Sequence, residues 1–368
     1  MPLLPGDDPL ARLNVGEEYW RNLHEWLKTR DSGYDLRPRF RPGWVPSWHK
    51  DPRKLSMLCE DAWRPFNSTV IDAVRLSDKA KVELKRIDTT VHPNEVEIAT
   101  YFTYLGRTRK NHSVPILEVL HPPDDPNTTI LVMPLLRRYD SPRFDTIGEA
   151  VDFFRQIFEG LQFMHNRNVA HRDCNSNNIM MDGQRLYPRG FHPDITHQDL
   201  MPDRYAKAGH RTRTRVPVKY YFIDFGISRR YSANERSGNL MEPIINGGDK
   251  SPPEHLQPGR VAADPFPTDI YYLGNLIRTD FLHVRGGFDF MEPLVKEMVR
   301  DDPTKRPTID EVVDRFEVIR KNLTSGKLRS RVVGKNEFPY LPHRVVAHGF
   351  CRLRSILLRI PALPEAPE

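Results

Sequence analysis

His171-Arg-Asp-Cys-Asn-Ser-Asn-Asn178-Ile-Met-Met181 is the stretch whose reading decides the fold. Asp173 and Asn178 lie five residues apart on one loop. That spacing has a physical use: the carboxylate accepts a proton from an attacking hydroxyl, and the amide oxygen holds a metal ion beside it. A second stretch agrees with it. Tyr221-Phe-Ile-Asp224-Phe225-Gly226 places an Asp at the exit of an apolar strand, as suits a metal ligand on a turn. Gly226 permits backbone angles that other residues resist. A third is Val82-Glu-Leu-Lys85, a strand ending in a Lys, with Glu95 on the helix that follows. A Lys held by a Glu grips phosphates as a point charge.

Around these stretches the hydrophobic periodicity changes character. Val70–Leu76 and Lys81–Ile87 read as a hairpin across Ser77-Asp78-Lys79. His92–Leu105 reads as a helix with Pro93 near its first turn. Pro115–Leu120 and Thr129–Leu135 read as two further strands. From Thr146 the pattern turns helical. Thr146-Ile-Gly-Glu149 has capping-box form, and Val151, Phe154, Phe158, Leu161 and Met164 make a stripe up to about residue 167. Thr268–Thr279 and Met291–Arg300 are expected helices. Thr308-Ile-Asp-Glu311 repeats the box ahead of Val312–Arg320. A small strand-rich part followed by a larger helical part predicts an α+β, two-lobed plan. The expected divisions are an N-terminal Trp/Pro-rich extension at 1–60, a small lobe at 61–135, a large lobe at 136–320 and a basic tail at 321–368. All five tryptophans lie in the first 63 residues, so that extension is expected to pack on the body.

Composition bounds the function classes. The chain has 368 residues, of which 38% are hydrophobic and 28% charged, as in a folded protein. Three cysteines build neither a disulfide framework nor a Cys-based zinc site, and point to a reducing compartment. No run of ~18 apolar residues predicts a membrane span. The start lacks the pattern of a secretory signal, so an intracellular, cytoplasmic or nuclear, location is expected. The net charge of +6 is unevenly placed. Residues 321–368 hold nine Lys/Arg against three acids, and 183–219 hold eight against three, leaving the rest mildly acidic. That balance argues against a nucleic-acid face on the core and suggests an acidic partner for the insertion or the tail.

Lys85, Glu95, Asp173, Asn178 and Asp224 occur in the order found in eukaryotic protein kinases, and the chain resembles that superfamily over roughly residues 66–320. Ser251-Pro-Pro-Glu254 resembles the motif that closes the activation segment. Thr268-Asp269 resembles the helix whose Asp anchors the catalytic loop, and Arg306 resembles the partner of Glu254. Ile130–Leu136 resembles the last small-lobe strand, with Met133 as gatekeeper and Pro134, Leu135 and Leu136 as the adenine-binding hinge. The phrases around 37–48 and 187–193 resemble a kinase-like group expanded in fungi. The resemblance implies ATP and Mg²⁺ as cofactors and a protein hydroxyl, of Ser or Thr, as acceptor. It implies Asp173 as base, Asn178 and Asp224 as Mg²⁺ ligands, and Lys85 on the phosphates with Glu95 orienting it. His171, Arg172, Phe225 and Gly226 frame these groups, and Arg172 is available to a phosphate on the activation segment.

Four departures stand beside the resemblance. The loop expected to cover the phosphates falls in Trp63-Arg-Pro-Phe-Asn-Ser-Thr69, which has no glycine, and Pro65 removes an N–H donor. Arg64 and the Asn and Ser side chains are the candidate substitutes there. Lys85 and Glu95 are only ten residues apart, with Glu97 as the alternative partner. Asn175 stands where Ser/Thr kinases place a Lys, and Gly247 falls near an expected threonine. Met181 to Phe222 is a long insertion whose His210–Arg215 run reads as a docking or import patch, or as a solvated loop. The alternative function is therefore a pseudokinase scaffold with weak or no turnover. A third, a small-molecule phosphotransferase, is disfavoured by Glu254, Asp269 and Arg306. Val345–Ile360 is read as a basic amphipathic helix for a membrane or a partner, against a fraying tail or a helix packed on the large lobe.

Overall fold

The computed structural model describes residues 8–29, 33–51, 53–65, 67–106, 108–194, 208–238, 240–259, 261–337 and 342–364. Five antiparallel strands form the first layer: β1 (Tyr34–Leu36), β2 (Val70–Arg75), β3 (Lys81–Asp88), β4 (Glu118–Leu120) and β5 (Thr128–Pro134). Their order is β1-β2-β3-β5-β4. The β2–β3 hairpin closes at Lys79, which takes a φ of 63°, while Asp78 accepts from the Ala80 N–H at 3.0 Å. Side chains alternate across the sheet. Val82, Leu84, Ile130 and Val132 turn to one face and pack on Trp20 and Leu27 of helix α1 (Val15–Thr29). Leu131, Met133 and Ile87 turn to the other face and join the core of the large lobe. Helix α2 (Glu95–Tyr104) closes that side through Ile98 and Phe102.

Within the stretch read as an N-terminal extension, the described residues include part of this sheet. Strand β1 lies within them and pairs with β2, Leu36 opposite Ala73. The chain then makes an excursion over residues 37–69 before it enters β2. Arg39, within that excursion, is fully buried. It donates to Glu17 of α1 at 2.6 Å and to the Asp61 carbonyl at 2.8 Å. A buried guanidinium is tolerated only with such partners. The prolines that forbid a long helix here leave short 3₁₀ turns at Pro38–Phe40, Ser56–Leu58 and Glu60–Ala62.

The large lobe is built on α3 (Ile147–His165), in which all residues but Glu159 and Gln162 are buried. Thr146 caps it, accepting from the Glu149 N–H at 3.2 Å. The expected reciprocal bond is absent. The Glu149 carboxylate instead takes the Asp145 N–H at 2.8 Å and the Thr214 hydroxyl at 2.7 Å, because the insertion crosses this helix end. At Thr308 the full capping box does form, and α6 (Ile309–Asn322) starts there. Between them run α4 (Pro265–Ile277) and α5 (Glu292–Met298). Helix α4 begins three residues earlier than its expected start because Asp264 caps it and Pro265 suits its first turn.

The two basic segments are less free than their charge suggests. In the insertion, Tyr187 and Phe191, themselves in edge contact, both pack against the buried Arg137 guanidinium at 4.7 and 5.0 Å. Arg213 is buried too, donating to the carbonyls of Tyr139 and Pro142 at 2.8 and 2.7 Å. Of the run read either as a docking or import patch or as a solvated loop, Arg213 suits neither reading, since the fold itself consumes its charge. Residues 195–207 of the insertion lie outside the described residues. In the segment read as a tail, Leu328 is buried and Ile147 donates its N–H to the Ser330 carbonyl at 2.9 Å. Ala362 and Leu363 pack against the large-lobe core. Helix α7 (Pro342–Leu357) lies between these two returns.

If α1 is part of the small-lobe core, Trp20→Ala, at a position with no exposed surface, lowers stability by about 3–5 kcal/mol in denaturant unfolding. A loss below about 1 kcal/mol would return α1 to the status of an extension.

Candidate active site

The short strand Val169–Ala170 delivers the chain to His171, where it turns sharply under a fully buried carboxylate, Asp269 of α4. Asp269 accepts from the backbone N–H of His171 at 2.8 Å and of Arg172 at 2.7 Å, and meets the His165 ring at 3.0 Å. Two loop N–H groups that no helix or sheet satisfies thus find one acceptor. The turn sets Arg172 at a φ of 68° and aims Asp173 inward. Asp173 Oδ2 accepts from Asn178 Nδ2 at 2.7 Å, and Oδ1 from Asn175 Nδ2 at 2.5 Å. Oδ1 also takes the Gly248 N–H at 2.8 Å. Burial raises the Asp173 pKa, while the Gly248 N–H and the two amides work in the opposite direction.

The expected phosphate-gripping pair assembles despite its short spacing. Residues 89–94 form a turn and α2 begins at Glu95 itself. Lys85 Nζ donates to Glu95 Oε1 at 2.5 Å and to Asp224 Oδ1 at 2.9 Å. Glu97 is exposed and takes no part. Burial alone would lower the Lys85 pKa, but the two carboxylates outweigh it and raise it. Burial likewise opposes ionisation of Asp224, yet Lys85 and the Gly226 N–H hold its carboxyl below the usual range. Glu95 is raised by burial, which its partner Lys85 only partly offsets. Asp224 takes a φ of 64°, so the turn after the strand Tyr220–Phe222 is left-handed at the Asp. Phe225 is buried between Phe102 of α2 and His171, at ring distances of 5.8 and 5.3 Å. His92 Nδ1 lies 3.0 Å from the Gly226 carbonyl and joins the same turn to the start of α2.

Part of this cluster opens on a cavity of about 1230 Å³. Val70, Lys85, Met133, Leu136, Asn178, Ile223 and Asp224 line it. Met133 and Leu136 thus stand where the sequence reading put them. Leu135 does not line the cavity: its side chain is buried in the core, and its N–H donates to the Lys81 carbonyl at 3.3 Å. The roof is the end of the 37–69 excursion, which contributes Pro65 and Asn67. Arg64, one of the candidate substitutes there, donates instead to the Arg12 carbonyl at 2.6 Å.

The sequence reading passed over Glu83. It lies opposite Met133 on β5 and, two residues from Lys85, projects to the same cavity face. Burial, with Asp72 on β2 adding to it, pushes its carboxyl up to about 8, against the Leu136 N–H. Strand alternation alone carried the signal for it. Gly248 was missed for a different reason. A Cβ on Gly247 would lie 2.1 Å from Asp173 Oδ1, and one on Gly248 2.8 Å from Asn175 Nδ2. The glycine pair therefore lets the loop reach the carboxylate where the family pattern has a threonine.

Glu254 and Arg306, which the resemblance makes partners, meet in the structure. Arg306 grips Glu254 with two bonds of 2.7 and 2.6 Å, both side chains being fully buried. Thr268 adds a third bond to Glu254 at 2.7 Å. Arg172 donates to the Pro243 carbonyl at 2.7 Å, across to the strand Glu242–Pro243.

A family model described as protein kinase domain matches residues 66–279, more than half of the chain. A probable serine/threonine-protein kinase MRK1 homolog of Encephalitozoon cuniculi is 28% identical over 130 residues, covering 35% of each protein. The serine/threonine-protein kinase CAK1 of Saccharomyces cerevisiae is 28% identical over 120 residues, 33% of this chain and 24% of that protein. A light-sensor protein kinase of Ceratodon purpureus is 24% identical over 227 residues, 51% of this chain and 15% of that one. The chain thus spans about a third or less of the length of these relatives. The matched region begins before β2 and ends just beyond α4, enclosing Lys85, Glu95, the 171–178 loop, Asp224, Glu254 and Asp269. The chain belongs to the protein kinase family.

Proposed function

We propose that the protein transfers a phosphoryl group from ATP to Ser/Thr hydroxyls of a protein substrate. The observation that carries this reading is the placement of Lys85, Asp224 and Asn178 on one cavity, with Glu95 bonded to Lys85 and Asp173 bonded to Asn178. In this reading Asp173 accepts the hydroxyl proton, with Asn175 and Gly248 fixing its orientation. Lys85, steadied by Glu95, binds the α/β-phosphates. Met133 and Leu136 supply the apolar surface and edge for the base. The names of two relatives support Ser/Thr as the acceptor.

A Mg²⁺ ion suits the donors present. Asp224 offers a carboxylate held in its ionised form, and Asn178 an amide whose nitrogen is already committed to Asp173. Hard oxygen donors of this kind are what Mg²⁺ takes. The ion would neutralise charge on the phosphates; this chain's residues hold it and place the acceptor proton at Asp173.

A second reading, a pseudokinase scaffold, has its own observations: the glycine-free roof with Pro65 and the Glu83 carboxyl on the base side of the cavity. Mass action separates the two. At nucleotide near 100 times Kd a real site adds about 2.7 kcal/mol of stability. A thermal shift with Mg-ATP that Lys85→Ala abolishes supports nucleotide binding; no shift in the wild type at millimolar nucleotide supports the scaffold. The Glu254–Arg306 pair, which the resemblance associates with the protein-kinase branch, speaks against the small-molecule alternative.

Two measurements follow. Asp173→Asn lowers kcat on a generic basic protein substrate by about 10²–10⁴-fold, with the KM for ATP little changed, since only the proton acceptor is lost. Equal rates for wild type and variant would falsify the catalytic reading. The second concerns pH. The folded-state pKa of Glu83 is about 8, above its ordinary 4.5, so the native state keeps a proton that the unfolded chain has released. Stability therefore falls as pH rises from about 4.5 and levels off above about 8. Glu83→Gln escapes this loss. Its melting temperature matches wild type most closely near the acid end of that window and exceeds it most above pH 8. A constant offset between the two proteins across the window sinks the assignment.

A further inference from the structure

Helix α7 is mounted inside out. Its large apolar residues Val345, Val346, Phe350, Leu353, Ile356 and Leu357 are between 49% and 75% exposed. At ~100° per residue they fall in one continuous arc of roughly 140°. The opposite side carries Ala347, His348, Cys351 and Ser355, which with Arg352 line one end of the cavity; of these Ser355 is buried and His348 half-buried, while Ala347, Cys351 and Arg352 keep exposed surface. Soluble helices do the reverse, burying the stripe and exposing the polar side.

The mounting is specific rather than a loose end. His348 Nε2 lies 3.1 Å from the Arg329 carbonyl, and Arg329 donates to the Ile360 carbonyl at 2.5 Å. Ser355 is buried. Beyond the helix, Ala362 and Leu363 pack on the large-lobe core. The fit there is close: a Cβ on Gly148 would lie 2.1 Å from the Ala362 carbonyl oxygen. The chain on the C-terminal side of α7 is thus docked, while the apolar arc points away from the body.

We propose that α7 is a peripheral membrane-docking helix that lies on an anionic lipid surface. Charge complementarity names the occupant. No Asp or Glu occurs between Glu337 and Glu365. On the helical projection Arg352 borders the apolar arc on one side and Arg354 on the other. Basic residues on both edges suit a plane of phosphate headgroups, to which long arginine stems reach while the arc enters the acyl boundary. A second copy of this chain fits poorly: two such arcs face to face set arginine edges together with no acid to neutralise them. No helix among the described residues is long and apolar enough to cross a membrane, so the mode is interfacial. One such helix binds reversibly, as single anchors do.

The test is co-sedimentation of the full chain with vesicles of phosphatidylcholine alone or mixed with phosphatidylserine. The wild type should pellet with the phosphatidylserine vesicles, less so as salt rises, and stay in solution with phosphatidylcholine. Phe350→Asp/Leu357→Asp changes only exposed positions and should lose the binding with an unchanged melting temperature. Arg352→Glu/Arg354→Glu should lose the preference for the acidic lipid. The proposal is overturned if the wild type pellets with neither vesicle, or if the Phe350/Leu357 variant pellets as the wild type does. It is equally overturned if sedimentation velocity without lipid shows a dimer that this variant dissolves, which would make the arc a contact between copies.

Discussion

One buried carboxylate organises the active cleft. Asp269 has no exposed surface, and a charge that deep persists only when hydrogen-bond donors surround it. Its donors are the N–H groups of His171 and Arg172 together with the His165 ring. The bonds tie α4 to the loop, hold Arg172 at its positive φ, and thereby decide where Asp173 points. The same turn brings His171 against Phe225, and Phe225 against Phe102 of α2. The position of the small-lobe helix is therefore linked to an acid of the large lobe through three packed rings. Glu95, on that helix, then meets Lys85.

A second set of links crosses between the lobes on the side of the excursion. Arg37 donates to Asp72 and Glu60 at 2.7 Å each, and also pairs with Asp194 of the insertion. The guanidinium is thus shared by strand β2, the roof segment and the large lobe. The roof that replaces a glycine-rich loop is consequently stapled down. Backbone N–H groups on bare glycines would close over phosphates by approaching them directly; a roof containing Pro65 depends on this network for its position instead. The departure from the family pattern at residues 37–69 and the length of the insertion are two parts of one arrangement, since Asp194 of the one completes the pairing of Arg37 in the other.

Much of this was legible before the fold was seen, for reasons that differ by element. The hairpin of β2 and β3, the long α3 and the capped α6 follow from local alternation, a helical stripe and a Thr–Glu pair. Lys85, Asp173, Asn178 and Asp224 were legible because each sits in a short motif whose chemistry explains its spacing. Leu135 was misplaced by one facing position, since a hinge read as a strand end does not say which of its side chains turns inward. Strand β1 was illegible: three residues in a Pro-rich stretch carry too little periodicity. Gly248 escaped because its role is a close approach of backbone to Asp173 from 75 residues away.

The linear order of residues by itself determined which ionisable and amide side chains were on offer in short motifs, and which segments repeat every two or every 3.6 residues. These are properties of side chains and of local backbone, so they survive without the fold. Tertiary structure alone decided what each amphipathic face meets. Helix α1 and α7 each carry an apolar face, yet the first buries Trp20 against the sheet and the second leaves Phe350 in solvent. Periodicity says that a face exists, while the contact it makes depends on chain segments far away in sequence. For α1 that segment is one face of a five-stranded sheet. For α7 it is the return of residues 360–364 to the large lobe, which pins the helix polar side inward and its apolar arc out.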